Sequence, residues 1–495
     1  MDTIGFDSAK YLEMQSKKIN ERIGQFGGKL YLEFGGKLFD DFHASRVLPG
    51  FAPDNKIVML QQLKDIAEIV FVINSQDIAK NKLRSDLGIT YDVDVIRLIN
   101  IFMSKGLYVG SIVLSQYSED NQSANIFQKK IERLGIKVYH HYYIKGYPSN
   151  IPYIVSDDGY GKNEYIETKR KLVVVTAPGP GSGKMATCLS QLYHDYKRGV
   201  KAGYAKYETF PIWNIPLNHP VNIAYEAATA DLNDVNMIDP WHLQNYNQVA
   251  VNYNRDVEIF PVLNALFEKL MGKSPYKSPT DMGVNMAGYA ICNDDVCCAA
   301  SKQEVIRRYY KALVSERKGC TSSQEPEKIA LLMEKLGITI NDREVAKVAN
   351  NLAKKRHLPI ACIQLRDGQI ISGKASTLLN CSSAMVLNAL KTLAKIDDSV
   401  DLISPVAIEP IQMLKTKVLG GANPQLHLDE TLIALAVSAV SNPHAKLALD
   451  NIVNLKNCEV HTSIILASVD EKMFRQLGVN ATSDPLYSTK NNVTQ

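Results

Sequence analysis

Residues 171–198 read KLVVVTAPGPGSGKMATCLSQLYHDYKR, and on this stretch the fold turns. The β-branched run Leu172–Thr176 predicts a strand, and Pro178 to Gly183 predict a glycine-rich turn. Met185, Cys188, Leu189, Leu192, Tyr193 and Tyr196 then recur at helical spacing. A strand that passes through glycines into a helix can cradle a phosphate: the turn amides face inward, the helix N-terminus adds its dipole, and Lys184 adds a full charge. The candidate phosphate-binding residues are therefore Gly179, Gly181, Ser182, Gly183, Lys184 and Thr187. The match to the nucleotide loop G-x-x-x-x-G-K-[ST] is partial. Gly183-Lys184 fit, but Pro178 stands at the first glycine and Met185 replaces the hydroxyl that would hold magnesium. Thr187 offers a hydroxyl three residues past the lysine, and a ligand-free strand-to-helix turn is the plainer alternative.

Upstream, predicted helices and strands alternate: a helix over 8–26, a strand at KLYLEF (29–34), a helix from Lys56 to about Ala67, and strands at EIVFVIN, YVGSIVLSQY and IKVYHHYYI with helices between them. Strands separated by helices predict a doubly wound, mostly parallel sheet, with ligands at the carboxyl ends of its strands. Gly35-Gly36-Lys37 makes a second glycine-lysine turn, and one of the paired His140 and His141 must face each side of its strand. Asp157 and Asp158 are candidate catalytic acids, placed to hold magnesium opposite the glycine turn or else to make an ordinary acidic loop.

From His219 to Asn285 the chain is rich in Asn and Asp. Arg255 and Asp281 are further catalytic candidates there, and Asp231, Asp234, Asp239 and Asp256 are candidates for metal or substrate contacts, with helix capping as the alternative. Cys292, Cys297 and Cys298, in CNDDVCC, invite a metal reading, but no second matched pair lies nearby. Cys381, Cys458 and His461 would form a metal site only if strand and helix ends met. Gly319–Lys328 reads as a linker, and the remainder as a hairpin closed by Asp367-Gly368 followed by helices and strands. The fold class expected is multidomain α/β: an α/β domain over 1–235, a mainly helical region over 236–322 and a C-terminal α/β domain over 323–495.

The chain has 495 residues, of which 45% are hydrophobic and 22% charged, with a net charge of +4. That balance calls for no nucleic acid, and no apolar run is long enough for a membrane span. The expectation is a cytoplasmic protein with reduced cysteines, compatible with a homo-oligomer.

TAPGPGSGKMATCLSQLYHDYKRG, YKSPTDMGVN, NYNRDVEIFP and EVHTSIILASVDEKMFRQLGV together resemble a bacterial family of uncharacterised proteins of roughly 500 residues. The resemblance implies a multidomain α/β bacterial protein and brings no reaction or cofactor with it. The residues themselves point to a phosphotransferase or ligase that binds ATP, with magnesium, or another phosphorylated small molecule, and acts on a small polar metabolite. A non-enzymatic sensor of a phosphorylated metabolite is the alternative, and a metal-dependent hydrolase the third.

Overall fold

The computed structural model describes residues 4–36, 39, 41–84 and 87–488, so Lys37 of the second glycine turn lies outside the described residues. The chain forms two compact units, 1–301 and 302–495, and the division falls inside the helix Asp294–Arg317.

In the first unit, seven strands make one sheet: β1 (Leu30–Phe34), β2 (Ala67–Asn74), β3 (Tyr108–Tyr117), β4 (Lys137–Tyr142), β5 (Leu172–Thr176), β6 (Gly203–Tyr207) and β7 (Gly283–Val284). Across the sheet they stand in the order β7-β6-β1-β5-β2-β3-β4, and every neighbouring pair is parallel. β2 and β5 are buried along their whole length, which is why both carry continuous apolar runs, Ile69–Ile73 and Leu172–Val175, instead of alternating ones. Helices Asn55–Gln62, Tyr91–Ser104 and Gln122–Glu132 connect β1 outward to β4, while helix Lys184–Lys197 leads back from β5 past β1 to β6. Crossovers of this kind are right-handed, so the two directions of travel put helices on opposite faces. The doubly wound sheet expected from the alternation is there. Its central strand is β5, the fifth to be made, inserted between β1 and β2.

The histidine pair divides as strand geometry requires. His140 stacks on Tyr117 with ring centres 3.9 Å apart, whereas His141 is buried with Nε2 3.2 Å from the Glu164 carbonyl. Burial, only partly offset by that carbonyl, pushes the His141 pKa down to about 3. An unfolded histidine titrates near 6.5. The stability that His141 contributes is therefore present above about pH 6.5 and lost as pH falls toward 3, on the order of 4–5 kcal/mol at full extent. The two tryptophans, Trp213 and Trp241, both lie in the first unit, so their fluorescence follows its unfolding. In His141→Leu the slope of stability against pH between 6 and 4 should be shallower than in the parent by up to about 1.4 kcal/mol per pH unit. Equal slopes would show that His141 does not govern acid lability.

The second unit is built on a four-stranded sheet: β8 (Ile360–Gln364), β9 (Ile370–Lys374), β10 (Glu459–Thr462) and β11 (Asn480–Ser483), in the order β9-β8-β10-β11. β8 and β9 form the expected antiparallel hairpin, β10 runs antiparallel to β8, and β11 runs parallel to β10. The sheet is covered on both faces. Ala361 and Ile363 pack with Met385 and Leu390 of helix Cys381–Ala394, and Ile360 and Cys362 pack with Val345 and Ala349 of helix Glu344–Arg356. The Asn380 side chain caps helix Cys381–Ala394 by accepting from the Ser383 amide. The stretch 319–328, expected as a linker, holds the turn after helix Asp294–Arg317 and the start of helix Gln324–Lys335.

Candidate functional site

The glycine turn leaves the carboxyl end of β5, at the centre of the sheet. Gly181 and Gly183 have φ of 74° and 92°, a left-handed conformation that side chains disfavour, with Ser182 between them. Alternation of this kind turns successive amides toward a common point. Among the described residues the amides of Gly181, Ser182 and Gly183 have no hydrogen-bond acceptor, and Gly183 caps helix Lys184–Lys197 without a side-chain bond. Gly179 is a glycine for a different reason: a Cβ there would lie 2.1 Å from the Tyr91 hydroxyl. The Ser182 hydroxyl donates to the Gly179 carbonyl at 2.8 Å, and the Ser182 carbonyl accepts from Ser115 of β3 at 2.6 Å. The Ser182 side chain thus braces the turn, leaving its amide for any ligand.

Lys184 opens the helix and makes no ion pair among the described residues. Thr187, one turn on, is 1% exposed, and its hydroxyl has no hydrogen-bond partner among the described residues. A buried hydroxyl left unsatisfied costs about 1–3 kcal/mol. Gln116, at the irregular end of β3 beside Ser115, is an exposed non-glycine residue with φ of 48°. Backbone held in that region marks a place where the fold imposes a conformation.

Beside the turn lies a buried charged cluster. Glu33 of β1 is in register with Val175 of β5 on one side and with Lys206 of β6 on the other. Tyr204 donates to Glu33 at 2.7 Å. The Lys206 ammonium meets Glu208 at 2.8 Å and also bonds Asp256 and the Tyr253 hydroxyl, which in turn donates to Glu208 at 3.2 Å. Burial works against the Lys206 charge, but Asp256 and Glu208 outweigh it and hold the ammonium well above its ordinary pKa. Burial also raises the Glu208 carboxyl, and the Asp256 charge raises it further, against the opposing pull of Lys206. A carboxyl raised in this way keeps its proton to a higher pH than an exposed one.

Of the acids expected at the site, the structure brings Asp256 to this cluster. Asp157 accepts from Tyr193 at 2.8 Å and from Lys197, at the far end of the helix that Lys184 opens. Nine residues of helix separate Lys184 from Tyr193, roughly 13 Å, so the Asp157-Asp158 turn stands away from the glycine turn. Asp281 accepts from Tyr246 at 2.6 Å and from the Lys277 amide, and its carbonyl accepts from Arg22; it precedes β7, on the amino side of the sheet. Arg255 pairs with Asp234 through two bonds of 2.6 and 2.8 Å. Asp239 caps helix Pro240–Tyr246. A shallow groove lined by Ile136, Lys137, Tyr139, Tyr165, Glu167 and Arg198 also lies at the amino side, where β4 begins.

Among the described residues, the members of the two cysteine trios, weak metal candidates in the sequence, have separate partners. Cys297 donates to the Gly5 carbonyl at 3.3 Å and Cys292 faces the Ile4 carbonyl, while Cys298 lies near His219. His461 bonds Thr482 at 2.9 Å and Asp484 at 3.3 Å, and Cys381 and Cys458 lie in the apolar core of the second unit.

The first unit's Glu33, Lys206, Glu208 and Tyr253 went unseen in the sequence. One signal was available: Glu33 in LYLEF and Lys206 in GYAKY put opposite charges inside strands of a sheet covered on both faces.

No helix among the described residues is long and apolar enough to cross a membrane. Residues 4–337 match the domain of unknown function DUF1846, N-terminal, and residues 341–492 match DUF1846, C-terminal. The chain is 58% identical over 495 residues to a UPF0371 protein of Corynebacterium diphtheriae, covering 100% of this chain and 99% of the relative. It is 58% identical to a UPF0371 protein of Corynebacterium glutamicum, covering 99% of each chain. A UPF0371 protein of Streptococcus pyogenes serotype M5 is 55% identical, covering 98% of each.

Proposed function

The chain belongs to the bacterial family built from the N-terminal and C-terminal DUF1846 domains, and for this member we propose phosphate-dependent group transfer on the seven-stranded sheet. A phosphorylated small molecule, ATP or a phosphometabolite, binds with its phosphate on the amides of Gly181 to Gly183 and the Lys184 ammonium. The carrying observation is the combination of that turn with the unsatisfied Thr187 hydroxyl beneath it. The acceptor, a small polar metabolite, lies over Lys206 and Glu208. Two strand spacings, about 10 Å, separate β5 from β6, a span that a phosphorylated metabolite bridges. Lys206 steadies negative charge on the acceptor, and Glu208 takes its proton. The setting is the cytoplasm, in keeping with eight free cysteines.

Met185 favours a second reading. A thioether does not hold the hard magnesium ion that nucleotide transfer requires, so a sensor would keep the phosphate turn and dispense with the metal. Thermal unfolding followed by tryptophan fluorescence, against a panel of nucleotides and sugar and amino-acid phosphates with and without magnesium, tests both. At a hundred times Kd a true ligand adds about 2.7 kcal/mol, several degrees of melting temperature. Binding strengthened by magnesium supports transfer, and binding indifferent to it supports the sensor. If no phosphorylated compound raises the transition, both readings fall.

A further inference from the structure

Away from the glycine turn, the geometry assigns a zinc-type metal site to His219, Asp294 and Cys298. His219 precedes helix Pro220–Ala228, and Asp294 opens helix Asp294–Arg317 with Cys298 one turn behind it on the same side. The three side chains offer one imidazole nitrogen, one carboxylate and one thiol, with ligand atoms all within 4.8 Å of one another. Cys298 Sγ is 3.6 Å from His219 Nε2 and 3.7 Å from Asp294 Oδ2, and His219 Nε2 is 2.9 Å from Asp294 Oδ1. Zinc bonds of 2.0–2.3 Å at tetrahedral angles imply ligand-to-ligand edges of roughly 3.3–3.6 Å. The sulfur–nitrogen edge already has that length, while the sulfur and the imidazole meet different oxygens of Asp294, so a small rotation of this exposed carboxylate brings one oxygen to both and admits the ion.

The donor set selects the metal. Thiolate and imidazole suit zinc and its tetrahedral neighbours, not magnesium or calcium, and three protein ligands leave a fourth position for water. The ring is held in place by its other nitrogen, because His219 Nδ1 accepts the Val221 amide at 3.2 Å. That bond puts the ring proton on Nε2 in the metal-free protein. Loading therefore moves the ring proton to Nδ1, gives up the Val221 bond, and releases the Cys298 proton to solvent, so affinity rises with pH. The other two cysteines of CNDDVCC face Ile4 and Gly5 and take no part.

Cobalt(II) titration of the chelator-treated full chain tests the site, because a tetrahedral cobalt thiolate absorbs where the free ion does not. One equivalent should bind with a thiolate-to-cobalt band, and zinc should displace it. Cys298→Ser should remove the band, and Asp294→Asn, at a side chain that is 61% exposed, should weaken binding at least tenfold with the circular dichroism unchanged. Cys292→Ser should bind as the parent does. Absence of stoichiometric binding, a band that survives Cys298→Ser, or one that depends on Cys292 would overturn the assignment. None of these outcomes bears on phosphate binding.

Discussion

Lys184→Ala is expected to weaken binding of ATP or pyrophosphate by about ten- to a hundredfold while leaving the melting transition of the ligand-free protein in place. A hydrogen bond to a charged group contributes about 1.5–3 kcal/mol, and at the mouth of the turn that contribution goes to the ligand. The fold does not depend on it, since among the described residues Lys184 has no ion pair and only half-buries its stem at the start of the helix. Isothermal titration of parent and mutant gives the comparison. Equal affinities for every phosphorylated compound that the parent binds would take the turn out of the site. A mutant that no longer melts cooperatively would instead assign Lys184 to the fold.

Arg343→Met should be the most damaging single change in the second unit, lowering its stability by about 3–5 kcal/mol. The Arg343 side chain is 1% exposed and ties the two parallel strands together. Its guanidinium meets Glu459 at 2.6 Å, donates to Thr482 at 3.0 Å, and donates to the Val460 and Asn480 carbonyls at 3.0 and 3.1 Å. Removing it strips three acceptors of β10 and β11 of a donor. Glu459 keeps Arg307 at 2.9 Å, which places the loss toward the lower end of that range. The second unit has no tryptophan, so the part of the far-ultraviolet dichroism change in urea that tryptophan fluorescence does not follow reports its unfolding. That part of the dichroism change should move to lower urea, with the fluorescence transition unmoved. If it stays in place, the Arg343 network contributes nothing net.

Much of the architecture was legible because burial writes itself into composition. A strand covered on both faces is mostly apolar, so VVVT and IVFVI declared themselves, and the helices between them declared the parallel sheet. The glycine turn was legible because φ above zero demands glycine. The charged cluster was not, because its partners are remote in sequence: Lys206 and Asp256 are 50 residues apart, and Tyr204 and Glu33 are 171 apart. The same holds for Cys298 and His219, separated by 79 residues. Local spacing carries no record of such meetings. The place of Asp157 was hidden for the converse reason: near the turn in sequence, it stands at the other end of helix Lys184–Lys197.

The late insertion of β5 reaches beyond the finished fold to the ribosome. β1 neighbours only β5 and β6, and β2 meets β5 on one side, so β1 has no partner in the sheet while the chain is shorter than Leu172. About a hundred residues separate the end of β2 from the start of β5, roughly 5–20 s of synthesis, during which two strand edges that belong at the middle of the sheet stay unpaired. Over that interval those edges are open to mispairing. When Leu172 to Thr176 emerge, they close the sheet and lead directly into the glycine turn, so a chain truncated before them lacks the centre of its sheet and that turn together.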